Sequence, residues 1–273
     1  MPTNKQRREA AQRRLQRQLE RREQLARKRR RNLLIGVTVV AVLAVVGAFF
    51  VITGLADGNS DTTAAAASSA APSASAAPAG QTTVAGPCTY TTDGSASAGV
   101  AVTPPSGDIP TTGTLALTMS TNSGDIGLEL DQARATCAAA SFASLTKQGF
   151  FDGTPCHRET DSAQLKVLQC GDPSGKGTGG PGYNFKTQVT GSETYPRGTI
   201  AMANSGSGTD GSQFFLVYGN STLGPDYTVV GTIDDAGLAV LDKIAANGNN
   251  GANGANDGAP KQPVTITKMT AAQ

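Results

Sequence analysis

The sequence predicts a mainly β domain preceded by a membrane-spanning helix, and three observations support this prediction. Residues 32–55 contain no charged side chain, residues 56–87 consist mostly of Ala, Ser, Thr, Pro and Gly, and beyond residue 113 short apolar runs alternate with turn residues. Many short strands accompanied by two helical segments are typical of a closed β-barrel whose ends are covered by helices.

The net charge of +2 conceals a strongly basic N-terminus. Residues 1–31 carry 13 Lys and Arg and 3 Asp and Glu, whereas the remaining residues carry 10 and 18. The excess of basic over acidic residues therefore lies entirely in the N-terminal tail, residues 1–31. Nucleic-acid binding is one interpretation of so many arginines. The apolar segment that follows favours another, a cytoplasmic tail that rests on anionic lipid headgroups. We expect no nucleic-acid partner.

The uncharged segment 32–55 is long enough to cross a hydrocarbon layer of about 30 Å as a helix. Residues 27–31 are basic, whereas Asp57 and Asp61 follow the segment, so the positive-inside rule places the N-terminus in the cytoplasm. A cleaved signal peptide is the alternative, but its apolar region usually has only about 7–15 residues. We predict an uncleaved single-pass anchor in the cell membrane, with the folded domain extracytoplasmic.

A spacer and an arm are expected between the anchor and the domain. Residues 56–87 have too few large apolar side chains to offset the entropy of ordering, so we predict a disordered linker. Residues 88–112 contain Cys88, Tyr90 and a Pro-Pro pair, and are expected to pack as an irregular arm. The folded domain then occupies residues 113–273.

Within the domain, apolar runs and turn residues predict the elements. A β-hairpin is expected where residues 114–121 and 125–130 flank an Asn-Ser-Gly turn. Apolar spacing predicts two helices, at 133–148 and 237–246, the first ending at Gly149. Further strands are predicted at 155–158, 165–171, 199–203, 212–218, 227–233 and 264–269. A loose loop is expected at 247–260. The glycine-rich loop 171–182 lacks the Lys-Ser/Thr pair of a phosphate-binding loop.

The stretch 198–219 reads as strand, polar loop and strand. Because side chains alternate along a strand, Gln213 and Phe215 should share one face, and Phe214 and Leu216 the other. The local pattern leaves two interpretations open, a buried core strand and the edge of a peptide-binding surface.

Five sequence motifs together carry a resemblance to a known family. They are FDGTPCHR (151–158), QCGD (169–172), GTGG (177–180), GTIAMAN (198–204) and DGSQFF (210–215). In this order and spacing, residues 113–270 resemble the cyclophilins, which are peptidyl-prolyl cis-trans isomerases. The resemblance implies a closed antiparallel eight-stranded barrel capped by two helices, and proline-containing polypeptides as substrates. It also implies an enzyme without metal or cofactor, and we expect a monomer.

The resemblance assigns catalytic roles to Arg158, Gln169 and Phe215. Rotation of an X–Pro bond breaks amide resonance, with a barrier of about 18–20 kcal/mol, and leaves a lone pair on the proline nitrogen. A fixed cation that donates to this nitrogen stabilises the twisted state, and Arg is always protonated. Arg158 would be this donor, Gln169 would bind the substrate carbonyl or orient Arg158, and Phe215 would form the floor of the proline pocket.

The same resemblance implies a set of substrate-binding residues around this centre. These are Val167 and Leu223 as pocket walls, Ala203, Asn204 and Ser205 along the extended peptide, and Gly177, Gln213 and Tyr227. His157, the only histidine, is predicted to be structural, because prolyl isomerisation requires no proton transfer.

Several positions depart from the family pattern. The chain has no Trp, and Ser221 or Thr222 stands where many cyclophilins carry one. Tyr227 replaces a pocket histidine, Lys166 replaces an aromatic residue, and Val167 replaces a methionine. We expect an altered rim and weakened cyclosporin binding around an intact central set.

The four cysteines all follow the predicted membrane segment. An even number in an exported domain favours disulfides, although three pairings are possible and four buried free thiols are the alternative. The resemblance favours Cys156–Cys170, because these strands lie side by side in the cyclophilin barrel. Cys88–Cys137 would then join the arm to the first helix.

The leading functional prediction is an active prolyl isomerase that assists the folding of extracytoplasmic proteins. One alternative is a non-catalytic module that binds proline-containing peptides, or acts as a chaperone, through the same groove. Another is an anchored structural protein that keeps only the fold. The presence of Arg158, Gln169 and Phe215 makes this the weakest of the three.

Overall fold

A computed structural model describes residues 80–94, 96, 97, 100 and 102–271. In this part of the chain there are fourteen strands and two helices. The strands are β1 (Thr82–Ala85), β2 (Cys88–Thr92), β3 (Thr114–Thr121), β4 (Gly124–Asp131), β5 (Thr154–Pro155), β6 (Arg158–Asp161), β7 (Lys166–Cys170), β8 (Tyr183–Lys186), β9 (Thr199–Met202), β10 (Thr209–Asp210), β11 (Phe214–Gly219), β12 (Val229–Ile233), β13 (Asp257–Gly258) and β14 (Thr265–Ala271). The helices are α1 (Thr136–Lys147) and α2 (Asp235–Asn247).

Three predicted segments fall outside the described residues: the basic tail (1–31), the membrane helix (32–55) and all but the end of the linker (56–87). Among the residues that are described, neither helix combines the length and the apolarity needed to cross a bilayer.

The N-terminal arm begins earlier and is more regular than predicted. β1 lies within the segment predicted as a disordered linker, and β2 lies within the arm predicted as irregular. The two strands form an antiparallel hairpin, and β2 also pairs with β8. We call residues 80–94 the arm hairpin. Composition did not reveal it, because its order comes from backbone pairing and from two buried side chains, Cys88 and Tyr90.

The main sheet is curled but open, so the predicted closed eight-stranded barrel is wrong. Its ten strands run in the order β13-β6-β7-β11-β9-β12-β4-β3-β14-β5. Both edge strands have only two residues, and Pro155 has no N–H to donate to a further strand. The predicted single strand 155–158 is instead interrupted at Cys156 and His157, through which the chain crosses from one end of the sheet to the other.

The two predicted helices are present, and side chains cap both N-termini. At α1 the Gln188 Oε1 accepts hydrogen bonds from the N–H groups of Cys137 (2.8 Å) and Ala138 (3.0 Å). At α2 the Asp234 carboxylate accepts from the N–H of Gly237 at 2.6 Å. Both contacts satisfy donors that have no partner within the helix.

Strand β11 separates two apolar clusters, as the alternation of its side chains predicts. Phe214 and Leu216 belong to the main core, where the Phe214 ring lies 4.9 Å from that of Phe142 on α1. Phe215 and Val217 belong to a smaller cluster on the other face of the sheet. One strand therefore contributes side chains to both apolar clusters.

Two disulfides are present, Cys88–Cys137 and Cys156–Cys170. This is the pairing that the family resemblance implied. The first joins the arm hairpin to the start of α1, and the second joins the β5–β6 connection to β7.

The loop at 247–260 was predicted to be loose, and this is wrong. The Asn250 Oδ1 accepts hydrogen bonds from the N–H groups of Ala252 (3.0 Å) and Ala259 (3.1 Å), and β13 pairs with β6. Asn side chains stabilise turns by bonding to nearby backbone, so this composition gives an ordered loop.

Candidate active site

Four neighbouring strands place a row of residues on one face of the sheet. Arg158 on β6 is paired with Gln169 on β7, which is paired with Phe215 on β11, and Phe215 is paired with Ala201 on β9. Partners directly opposite each other in antiparallel strands point to the same face. The three residues predicted to be catalytic are therefore adjacent, although they come from three different strands.

Arg158 is held by a carboxylate that sequence analysis missed. Its Nε and Nη2 donate to the two carboxylate oxygens of Asp257 at 2.9 and 2.8 Å, and its Nη1 donates to Gln169 Oε1 at 3.2 Å. The hydrogen bonds to Asp257 raise the pKa of Arg158, and those from Arg158 lower the pKa of Asp257. The pair is a planar, bidentate contact that fixes the orientation of the guanidinium.

The amide of Gln169 continues this hydrogen-bonded chain. Its Nε2 donates to Gln213 Oε1 at 3.0 Å, and Gln213 Nε2 donates to the carbonyl of Gly179 at 3.0 Å. Each amide can accept at one end and donate at the other. The chain therefore sets which end of each amide faces Arg158 and which faces the glycine-rich loop.

A small apolar cluster of packed side chains lies beside the row. Its buried members are Val167, Tyr195, Ala201, Phe215, Val217 and Val229, and Leu165, Ala203, Leu223 and Tyr227 pack against them. The Phe215 ring lies 5.5 Å from that of Tyr227 in an edge-on contact. The predicted pocket residues Val167, Leu223 and Tyr227 are thus together with Phe215.

Tyr195 is a buried member of this apolar cluster, and the sequence did not identify it as a site residue. It is buried, its Oη donates to the carbonyl of Tyr227 at 3.0 Å, and that same Oη accepts from the N–H of Tyr227 at 3.1 Å. No local pattern marks Tyr195 or Asp257, because each acts through residues distant in the chain.

His157 lies beside Arg158 on the β5–β6 connection. It is half-buried, neither ring nitrogen has a hydrogen-bond partner among the described residues, and burial lowers its pKa. A Cβ on Gly177 would lie 3.4 Å from the imidazole ring. The predicted binding residue Gly177 therefore packs against His157.

The remaining predicted binding residues form a polar edge. Ala203, Asn204 and Ser205, with Gln169, Gln213 and Gly177, line a cavity of 680 Å³ that opens next to the row. The side chain of Asn204 donates to the carbonyl of Asp226 at 2.9 Å, which holds this edge in place. Gln169 and Gln213 therefore line the cavity and also belong to the hydrogen-bonded chain that begins at Arg158. We call the surface formed by the row, the apolar cluster and this cavity edge the groove.

Comparisons with known proteins identify the family to which this fold belongs. Residues 116–271 match the sequence profile of the family described as cyclophilin type peptidyl-prolyl cis-trans isomerase/CLD. The chain belongs to this family of enzymes, the cyclophilin-type peptidyl-prolyl cis-trans isomerases.

Two mycobacterial proteins are among the most similar relatives. A probable peptidyl-prolyl cis-trans isomerase B of Mycobacterium leprae is 45% identical over 294 residues, covering 98% of this chain and 99% of the relative. A protein of the same name from Mycobacterium tuberculosis is 49% identical over 179 residues, covering 61% of this chain and 58% of the relative. The first similarity therefore extends well beyond the isomerase domain.

A solved structure shares the fold. The crystal structure of a Cryptosporidium parvum cyclophilin type peptidyl-prolyl cis-trans isomerase is 25% identical, with a TM-score of 0.51, and covers 59% of this chain and 99% of that chain. The fold described above is thus shared with a solved member of this family.

Proposed function

We propose that this isomerase is anchored in the cell membrane and assists the folding of proteins outside the cytoplasm, with Arg158 as its catalytic residue. The observation that carries the assignment of Arg158 is its position in the row. It stands next to the apolar cluster around Phe215, a surface against which a proline ring can pack, and its guanidinium is fixed by Asp257 and Gln169.

The chemistry follows from the donors that Arg158 has left. A guanidinium carries five N–H groups, and three of them bond to Asp257 and Gln169. The other two belong to Nη1 and Nη2 and remain for the substrate. Donation to the lone pair of the twisted proline nitrogen stabilises that state more than the planar amide, which lowers the barrier to rotation.

The binding residues supply the frame for this step. Phe215 and its neighbours hold the proline ring, so the X–Pro bond lies over Arg158. Ala203, Asn204 and Ser205 run along the cavity edge, where an extended peptide would lie. Positioning of this kind accounts for much of enzymatic rate enhancement.

The extracytoplasmic location is supported by two independent features. The uncharged segment 32–55 follows a basic tail, an arrangement that orients single-span proteins with the N-terminus in the cytoplasm. The four cysteines form two disulfides, and such bonds persist in oxidising compartments.

The catalytic proposal is tested with the full-length protein and short Ala-Pro or Gly-Pro peptides in a protease-coupled assay. Arg158→Ala should lower kcat/KM by about 100-fold, the usual size of the loss when a transition-state donor is removed. Arg134→Ala is the matched control, because Arg134 is exposed and lies outside the groove. Catalysis by Arg158→Ala at the wild-type rate would overturn the assignment.

The same experiment separates the alternative function. A protein that binds the peptides in a fluorescence titration but does not accelerate isomerisation would be a binding module.

The proposed location is tested by treating spheroplasts with a protease that cannot cross the membrane. The protease should remove residues 80–273 and leave the N-terminal tail. Protection of the domain would refute the proposed topology.

A further inference from the structure

The chain that leads into Arg158 marks an interruption in the main sheet. β5 ends at Pro155, at one edge of the sheet, and β6 begins at Arg158, next to the other edge. Cys156 and His157, both described, connect the two strands and belong to neither. The pairing of β6 with β7 starts at Arg158 itself. Among the described residues, no strand pairing therefore holds the chain immediately before Arg158.

Cys156 attaches this connection to the domain at two points. Its N–H donates to the carbonyl of Val264, just before β14, at 2.8 Å. Its Sγ is bonded to that of Cys170 on β7. β14 and β7 lie toward opposite ends of the open sheet, so one residue links both sides of it. Of these two links, only the disulfide leads to a strand of the row.

The disulfide lies directly behind the row. Cys170 follows Gln169 in the chain and is paired with Phe214 on β11. Cys170 is fully buried, Cys156 is nearly so, and both belong to the main core. The bond is therefore on the core face of the sheet, whereas Arg158 and Gln169 point to the other face.

The β7 end of this bond is part of a rigid frame. β7 is paired on both sides, with β6 and with β11. Just beyond Cys170, the buried carboxylate of Asp172 accepts hydrogen bonds from the N–H groups of Thr178 and Gly179, both at 3.0 Å. The disulfide thus ties a connection that lacks strand pairing to a strand that is well held. Cys156 stands two residues before Arg158, so the bond fixes where β6 begins.

We propose that the Cys156–Cys170 disulfide is a positioning element of the active site, which holds the start of β6 so that Arg158 meets Gln169 and the substrate nitrogen correctly. The inference rests on the proposed function, because Arg158 is the group that is positioned. A misplacement of about 1 Å can lower a rate by about 100-fold. Because Asp257 and Gln169 still hold the guanidinium, we expect a smaller loss, about 5- to 20-fold in kcat.

The test uses the full-length protein and an Ala-Pro peptide in an NMR exchange assay, which needs no protease that could digest a destabilised variant. Replacing Cys156 and Cys170 by Ala should lower kcat by about 5- to 20-fold. KM should stay close to its wild-type value, because the apolar cluster around Phe215 is centred on another strand, β11.

The matched control replaces Cys88 and Cys137 by Ala and should keep the wild-type kcat. The control bond joins residues 49 apart, against 14 for Cys156–Cys170, and a longer closed loop contributes more stability. The control should therefore lose more stability and less activity. A purely structural role of both bonds predicts the reverse order, with the larger loss of activity in the less stable variant.

A second preparation removes the bond without a substitution at the site. The control variant keeps Cys156–Cys170 as its disulfide. It is unfolded with dithiothreitol and refolded in the reduced form, and its kcat should fall by the same factor. Oxidised glutathione then takes two electrons and two protons from the two thiols, which restores the bond and should restore kcat. Such a rescue reports on the bond and not on the change of side chain.

Three outcomes would overturn the positioning role: a wild-type kcat without the bond, an equal loss of kcat in an Arg158→Ala background, or failure of both bond-free forms to fold. The last would mean that the bond serves the fold alone. These results are distinct from a failure of the proposed function. Catalysis by Arg158→Ala at the wild-type rate refutes that function, whereas a loss in Arg158→Ala but none without the disulfide refutes only the positioning role.

Discussion

Removal of the Asp257 carboxylate tests whether Arg158 acts as a positioned donor. In Asp257→Ala the guanidinium loses the hydrogen bonds of 2.9 and 2.8 Å and keeps only the bond of 3.2 Å to Gln169. Its charge is unchanged, because Arg remains protonated in proteins. The variant therefore alters the orientation of Arg158 and the charge beside it, but not its ability to donate.

The size of the effect follows from the geometry. A hydrogen bond to a charged group contributes about 1.5–3 kcal/mol when it is well shielded. Here the two side chains are 32% and 28% exposed, so solvent reduces each bond to about 0.5–1 kcal/mol. The loss of both, about 1–2 kcal/mol, corresponds to a roughly 5- to 30-fold fall in kcat. Asp257→Asn keeps one acceptor oxygen and should lose about half of this free energy.

The assay is protease-coupled isomerisation with kcat and KM determined separately. If Asp257 acts by positioning Arg158, most of the loss appears in kcat, and the substitution has little further effect in an Arg158→Ala background. The matched control is Asp242→Ala, which removes a bidentate partner of Arg197 at 2.7 and 2.8 Å outside the groove.

Two results would refute the reasoning about Asp257. One is a wild-type or higher kcat in Asp257→Ala, which would mean that an uncompensated arginine is the better catalyst. The other is an equal loss in the presence and absence of Arg158, which would mean that Asp257 acts on the fold alone.

Three further predictions concern stability. Glu159 is fully buried without a hydrogen-bond partner among the described residues, and burial raises its pKa from 4.5 to about 7. The stability from its neutral form is complete below pH 4.5 and is lost as the pH rises through about 7. Glu159 should therefore contribute a loss of about 3 kcal/mol in the wild type over this range, and this contribution should be absent from Glu159→Gln. Replacing Cys88 and Cys137 by Ala should lower the free energy of unfolding by about 4 kcal/mol, because their bond spans 49 residues. Gly171→Ala should cost at least about 2 kcal/mol, since Gly171 has φ +88° and its Cβ would lie 2.3 Å from the Ser212 carbonyl oxygen.

Urea denaturation measures all three. The first prediction fails if Glu159→Gln and wild type show the same pH dependence between pH 4.5 and 8. The second fails if the double Ala variant is as stable as the oxidised wild type. The third fails if Gly171→Ala and wild type have the same urea concentration at the midpoint of unfolding.

The local parts of the fold could be predicted from the sequence because local rules determine them. The β3–β4 hairpin is specified by alternation around a two-residue turn, Asn122-Ser123, and α1 ends before Gly149, whose φ is +68°. The open sheet could not be predicted, because it depends on how many residues of the edge strands pair and on the position of Pro155. The arm hairpin was not predicted, because the composition of its first strand resembles that of a disordered linker.

The candidate site, like the fold, could be predicted from the sequence only in part. Family motifs located Arg158, Gln169 and Phe215, and strand pairing places them side by side. Asp257 was missed because it lies in a Gly- and Asn-rich loop with no motif, and only the pairing of β13 with β6 brings it to Arg158. The predicted membrane segment at 32–55 lies outside the described residues and stays a prediction.

The order in which the chain is made gives the Arg158–Asp257 contact a further consequence. Asp257 follows Arg158 by 99 residues, and β14, beyond it, pairs along the first strand of the domain, with Ile266 opposite Thr121. In a nascent chain that ends after β12, Arg158 has no Asp257 carboxylate to bind, and β3 has no β14 with which to pair. The Arg158–Asp257 contact is therefore completed late, by the C-terminal part of the domain, and a chain truncated after β12 lacks the carboxylate that orients the arginine proposed to be catalytic.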